Sequence, residues 1–381
     1  MPAEFAAWIG LGWWAVSAGI HWVSAALARS PRLFPAPAPR PAADFSIVAP
    51  MAGAADASAG YVAALSALSA AGAEVLICVA GEDDGAIAET RRHWADAPIL
   101  VGSDTTFNPK MNNVRKGLEA ASRPVVALCD AGVRLEARDL ARAAAALSDR
   151  VGLVLALKSA DAPANFAAEL ERAYINGHHA RFLFAADRLG LVVASGGVTV
   201  LSRDTLHRIG VSMGFNRWIA DDYSVTRSVR ELGLSTRLGD VMPRLPLGER
   251  SWSAVWRRQV RWARTRLRLP VWGLVLWEPA IGLLVSGMAA AIGLAGCGFG
   301  GAVIAGALSI HVAVWLAGEK WFLSGRNLAF GPCAALAALT REALAPALML
   351  FALASRSIDW RGTDLGSNWR ERATDARERS R

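Results

Sequence analysis

The chain has 381 residues, 53% of them apolar and only 19% charged, with a formal net charge of +8. That length exceeds one typical domain, and so apolar a composition argues against a purely soluble protein. The arginines gather around 250–268 and after Arg356, beside hydrophobic segments, as on the cytoplasmic flank of membrane spans and unlike the exposed basic face of a nucleic-acid binder.

Residues 5–28 contain no Asp, Glu, Lys or Arg, and at 1.5 Å per residue this stretch exceeds a hydrocarbon core of about 30 Å. The only early charge is Glu4, while Arg29, Arg32 and Arg40 follow the stretch. Residues 1–30 are therefore expected to form an uncleaved anchor with its N-terminus outside. The stretch 31–45, PRLFPAPAPRPAADF, reads as a linker, because its prolines lack the N–H that helix and central strand require.

From 46 to 250 short apolar runs recur: SIVAP (46–50), VLICVAG (75–81), PILVG (98–102), VVALCD (125–130) and VGLVLAL (151–157). Helical segments such as YVAALSALSAAG and NNVRKGLEAA lie between several of them. The expected fold is α/β, a mostly parallel sheet flanked by helices, with ligands bound beyond the carboxyl ends of the strands.

Residues 251–269 put Trp252, Trp256, Val260 and Ala263 on one helical stripe and Arg257, Arg261, Arg264 and Arg268 on another, as an interfacial amphipathic helix does. The membrane region 270–354 then offers spans over 270–296 and 298–318, joined by GCGFGG, and an apolar stretch over 332–354 interrupted by Arg341 and Glu342. The tail 355–381 holds seven arginines against five acids and is expected in the cytoplasm. That makes 332–354 re-entrant or interfacial, unless the Arg–Glu pair faces a bundle interior. Cys78, Cys129, Cys297 and Cys333 form no CxxC pair and read as buried reduced thiols.

Candidate chemistry sits at strand and helix ends. Asp83 and Asp84 follow one strand and Asp130 ends another. Carboxylates so placed suit a diphosphate with its Mg²⁺ or Mn²⁺, although acids also cap strands and helices without further function. In FNPKMNN, Lys110 stands among Asn108, Asn112 and Asn113, either as donors to a phosphate or sugar or as a plain helix cap. Asp221 and Asp222 open a helix, where a carboxylate reaching a cleft can serve as a general base. Arg258, Arg261 and Trp262 form an RxxRW element.

The order DD, NPKMNN, CDAGVR, DDY and RQVRW, followed by spans, resembles the ceramide glucosyltransferases, a group within the membrane-bound GT-A glycosyltransferases of families 2 and 21. The resemblance runs from about Ser46 into the tail, through REALAP and WRG. It implies a cytoplasmic GT-A domain that transfers glucose, with inversion, from UDP-glucose to the primary hydroxyl of ceramide on the cytosolic leaflet, in a multi-pass protein of a bacterial inner membrane. By resemblance, Asp84 lies near the uridine, Asp130 near the metal and diphosphate, and Asp222 is the base. Arg258, Arg261 and Trp262 match the (Q/R)xxRW signature on the diphosphate and acceptor side. His179 matches a histidine of donor use, although His178 beside it is an equal candidate by sequence. The chain departs from the family at APMAG (49–53), which lacks a lysine, at Asp83-Asp84-Gly85, and at Gly132, where a DxD motif would carry its second acid. Another UDP-sugar, such as UDP-N-acetylglucosamine, or a hopanoid or diacylglycerol acceptor leaves the chemistry unchanged. A non-catalytic membrane scaffold is the reading from a different class.

Overall fold

The chain opens on α1 (Pro2–Arg29), whose 28 residues run unbroken through the expected anchor. This computed structural model describes residues 2–30, 40–102, 108–191, 194–210, 218–360 and 363–365. Most of the expected linker and tail, 31–39 and 366–381, lies outside the described residues. The chain divides into two compact units. One holds Met1–Pro31, Ala162–Leu189 and Leu247–Ser357, and the other Arg32–Asp161, Gly190–Pro246 and Ile358–Arg381. The range 46–250 is thus interrupted, since Ala162–Leu189 belongs with the helices.

The sheet unit alternates β1 (Phe45–Pro50), α2 (Ala59–Ala70), β2 (Glu74–Val79), α3 (Gly85–His93), β3 (Ile99–Val101), α4 (Pro109–Ala120), β4 (Val125–Cys129), α5 (Ala137–Ala144) and β5 (Val151–Leu157). The chain leaves the unit through β6 (Ser159–Pro163). In the helical unit it forms α6 (Phe166–Arg172), a π-helix (Ala173–His179) and α7 (Ala180–Arg188). It returns with β7 (Gly197–Ser202), α8 (Arg203–Ile209), α9 (Asp221–Glu231), β8 (Ser235–Leu238) and β9 (Arg244–Gly248).

Seven strands form one sheet in the order β3-β2-β1-β4-β7-β5-β8. Every pairing is parallel except those of β7, which runs antiparallel to β4 and β5. All residues of β1 and β4 are buried, the pattern of strands covered on both faces. Phe45 is completely buried and pairs with Val125, so the strand begins one residue inside the expected linker. Tyr61, Val62, Leu65 and Leu68 form the buried face of α2, and the core cluster they join includes Ile47, Ile77, Val154 and Val200. Each such side chain contributes roughly 1.5–3 kcal/mol.

The helical unit continues with α10 (Trp252–Arg266), α11 (Trp272–Trp277), α12 (Leu283–Gly296), α13 (Gly301–Gly325) and α14 (Pro332–Leu353). The expected span 270–296 is broken. Pro279 lacks an N–H, and between α11 and α12 Glu278 turns inward to accept from Arg266 Nη1 at 2.5 Å. The 14 residues of α12 measure about 21 Å, short of a full crossing. The next helix exceeds 298–318, because Glu319 is buried inside α13 as an ion-pair partner rather than exposed at its end.

The stretch 332–354 is one continuous helix. Arg341 is 2% exposed, with its Nη2 at 2.8 Å from Glu319 Oε2 and 2.7 Å from Glu342 Oε1. The Arg–Glu pair therefore faces the helix bundle, the alternative that sequence left open for this stretch. Among the described residues two helices, Gly301–Gly325 and Pro332–Leu353, are long and apolar enough to cross a membrane by length and composition. α1 packs closely on α12 through glycine, since a Cβ on Gly10 would stand 2.5 Å from Ala289 O and one on Gly293 2.9 Å from Leu11 N. Cys78 and Cys129 are buried, whereas Cys297 and Cys333, at helix ends, are exposed.

Candidate active site

Asp130 follows the last residue of β4 at the carboxyl edge of the parallel strands, where α/β sheets bind ligands. Lys110 reaches it from the first turn of α4, a helix that begins here because Asn108 caps it, accepting from Met111 N at 3.3 Å, and Pro109 occupies its first position. Lys110 Nζ donates to Asp130 Oδ1 at 3.1 Å and to Asp221 Oδ2 at 2.8 Å, tying β4 to the N-terminus of α9. Lys158, the residue after β5, approaches Asp130 Oδ2 at 3.5 Å.

Burial by itself would raise the Asp130 carboxyl, but Lys110 and Lys158 outweigh it and hold Asp130 below its ordinary range. Burial would lower the Lys110 ammonium, and the two aspartates more than offset that, so it stays charged. Asp222 differs. Its burial, followed by the charge of Asp221, pushes its carboxyl up to about 7 against the pull of Lys110, while Oδ1 accepts from Tyr223 N at 2.7 Å.

Hard divalent cations take oxygen ligands and often use one or two carboxylates plus substrate phosphates. Asp130 and Asp221 offer such oxygens and already hold an ammonium between them, so the donor set fits a Mg²⁺ or Mn²⁺ ion completed by a diphosphate. Among the described residues no three His, Cys, Asp or Glu side chains form a metal cluster. Gly132 has a φ of 82°, a left-handed conformation that favours glycine. This accounts for the missing second acid of a DxD motif.

The other predicted residues have different surroundings. Asp84 caps α3, accepting from Ala86 N at 2.8 Å, and its Oδ1 also accepts from Gly53 N at 2.7 Å, while Asp83 is exposed beside it. Asn112 and Asn113 are buried, and Asn113 Nδ2 donates to Met51 O at 3.1 Å.

Within the helical unit His179 stacks on Trp262 with ring centroids 6.1 Å apart, whereas His178 Nε2 lies 3.4 Å from Glu278 Oε2, so the two histidines have distinct environments. Arg258 is paired with the fully buried Glu171 of α6, which Arg250 also approaches at 3.3 Å. Arg261 is half-buried in α10, with its carbonyl accepting from Thr265 Oγ1 at 2.9 Å. The buried face of α10 is Val255, Gln259, Val260 and Ala263. Trp252, expected on that stripe, is 55% exposed and touches Phe166, and Trp256 packs on Phe351.

Lys158 and Glu171 were not among the predicted site residues, whereas Asp221 was one of the two carboxylates at a helix start that could serve as a base. Lys158 and Asp221 follow the same strand-end and helix-start rule that picked Asp130 and Asp222, whereas nothing in the local pattern of Glu171 marks it as buried.

The description of glycosyl transferase family 21 matches residues 11–373. Two ceramide glucosyltransferases of Caenorhabditis elegans are similar, number 3 at 24% identity over 309 residues and number 1 at 22% over 308; each match covers 78% of this chain. The matches span 66% of each relative's own length, just under two thirds. A mannosyltransferase of Pyrobaculum calidifontis, solved with GDP-mannose and Mn²⁺, is similar at a TM-score of 0.49 and 16% identity, over 90% of this chain and 99% of its own.

Proposed function

Because the chain belongs to glycosyl transferase family 21, we propose that it is an inverting glycosyltransferase of the GT-A type, moving glucose from UDP-glucose to the primary hydroxyl of ceramide at a membrane surface. The observation that carries this reading is the meeting of Lys110, Asp130, Asp221 and Asp222 beyond the carboxyl end of β4. The names of the two nematode relatives support glucose and ceramide as its substrates.

In the proposed mechanism Asp222 accepts the proton of the lipid hydroxyl as that oxygen attacks the anomeric carbon on the face opposite the diphosphate. One displacement with one base inverts the centre. A carboxyl poised at about 7 suits the task, because it is ionised often enough to act and basic enough to take a proton. Asp130 and Asp221 would hold Mg²⁺ or Mn²⁺, which neutralises charge on the departing diphosphate when bound. Lys110 and Lys158 add fixed positive charge at Asp130, of the kind that stabilises developing anions. Asp83, Asp84, Asn112 and Asn113 shape the nucleotide side, and His179, Arg261 and Trp262 keep the roles that the resemblance implies. Arg258, ion-paired with Glu171 and 31% exposed, keeps the diphosphate-side role that the resemblance implies.

The test is sugar transfer from a panel of UDP-sugars to ceramide, hopanoid or diacylglycerol with either metal. Transfer from UDP-glucose to ceramide should fall by roughly 10²–10⁴-fold in Asp222→Asn. Activity with another pair keeps the mechanism and changes the substrates, and no transfer with any pair favours the scaffold.

A further inference from the structure

From Phe166 to Arg188 the chain is one helical run, in which the seven-residue π-helix Ala173–His179 separates α6 from α7. At its end Ala180 N reaches Ile175 O, five residues back. A π-turn carries one residue more than the α-helical turn it replaces, and each residue of an α-helix advances it by about 100°. Where the π-turn sits therefore decides which way the side chains beside it face. Both ends of the run are fixed from outside, Glu171 of α6 by Arg258 of α10 and Arg181 Nη1 of α7 by His21 Nδ1 of α1 at 2.6 Å. The extra residue must be taken up between them.

Arg341 of α14 marks the place. Its Nη1 donates to Ala173 O and to Glu319 Oε1, both at 2.8 Å, and its Nη2 donates to Glu319 Oε2 at 2.8 Å and Glu342 Oε1 at 2.7 Å. Glu342 Oε2 in turn accepts from Leu283 N at 2.9 Å, so α12, α13 and α14 all brace the guanidinium. A Cβ on Gly177 would collide with Glu319 Oε1 and stand 2.6 Å from Arg341 Nη1, which puts the ion pair directly against the π-turn. A buried ion pair is weak evidence for stability, and its best-attested use is to fix one register among several. Ionisable groups inside apolar helices also mark function by default.

At the far end of the same turn His179 stacks on Trp262 of the RxxRW element, and His178 Nε2 lies 3.4 Å from Glu278 Oε2. A π-turn displaced toward α7 would leave both histidines in the phase of α6, turned by about 100° from these partners. We propose that Arg341, together with Glu319, is a positioning residue for donor use: it pins the π-turn at Ala173–His179 and so holds His179 against Trp262. The inference rests on the glycosyltransferase reading above, in which His179 serves donor use.

The experiment places Arg341→Met, Arg341→Lys and Gly177→Ala in the full chain in detergent, each alone and combined with His179→Ala. Gly177→Ala keeps every charge and carries the test if Arg341→Met does not fold. The KM for UDP-glucose should rise by up to about 10²-fold in Arg341→Met and Gly177→Ala, and by less in Arg341→Lys, while the KM for ceramide holds. In the His179→Ala background the same changes should add nothing, as when one residue acts through another. Trp262 emission, taken as the difference between each chain and its Trp262→Phe counterpart, should brighten in Arg341→Met and Gly177→Ala as the imidazole turns away, a readout that needs no substrate. Effects that add to those of His179→Ala, or an unchanged Trp262 emission, would make Arg341 a structural residue only and overturn the proposal. A wild type with no transfer from any donor sinks the enzymatic reading instead, and the emission still reports the pinning of His179.

Discussion

Asp222 and Asp130 are both acids at the edge of one sheet, and their surroundings drive them in opposite directions. Lys110 and Lys158 keep Asp130 ionised, whereas burial and the charge of Asp221 keep Asp222 protonated until about pH 7. An unfolded aspartate ionises near 3.9. Between those values the folded chain binds the extra proton, so this group's contribution to stability falls as pH rises from about 4 to about 7 and is level above that. Asp222→Asn should remove the loss. Its melting temperature should exceed that of wild type at pH 8 and converge with it at pH 4, with a ceiling on the order of 4 kcal/mol. Scanning fluorimetry at the two pH values checks this, and a gain equal at both would mean that the carboxyl does not titrate. Turnover should run the other way, rising with pH through about 7, since only the ionised carboxylate accepts a proton.

Among the elements, α10 joins two jobs. From sequence Arg257, Arg261, Arg264 and Arg268 form a basic stripe and Arg258 belongs to the RxxRW element; Arg258 pairs with Glu171, which is 0% exposed, and so fastens α10 to α6. Removing one partner of a buried pair strands the other charge, at a cost of roughly 3–5 kcal/mol where burial is complete and less here because the Arg258 side chain is 31% exposed. Arg258→Ala should therefore lower the melting temperature more than Arg261→Ala, and Glu171→Gln added to Arg258→Ala should recover part of the loss. A thermal-melt double-mutant cycle measures the coupling, and additive effects would argue against the pair. The π-helix before α7 depends on a similar tie, Arg341 Nη1 donating to Ala173 O at 2.8 Å. π-helical turns cluster at functional sites, and this one carries His178 and His179.

For the molecule as a whole, the two long apolar helices and the basic composition predict firm attachment to a membrane. The chain should stay in the membrane pellet after alkaline carbonate washing and be released only by detergent. Release by carbonate or high salt would show surface attachment instead. Gly293→Leu should weaken the α1–α12 contact, because the new side chain would meet Leu11 of α1.

Much of this was written in local pattern. Alternating apolar runs and helices announced the sheet, since a strand buried on both faces must be apolar throughout, and the acids at its edge announced Asp130 and Asp222. The family signature was legible for the same reason, its motifs being short and contiguous. What only the tertiary structure decided are the pairings between residues far apart in the chain. Lys110 joins Asp130 to Asp221, Arg258 serves Glu171, His178 and His179 part company, and Arg341 makes a buried network of what sequence read as an interruption. The physical reason is that hydrophobic periodicity is a property of neighbours along the chain, while the state of a charge depends on which distant partner and how little water the fold brings to it.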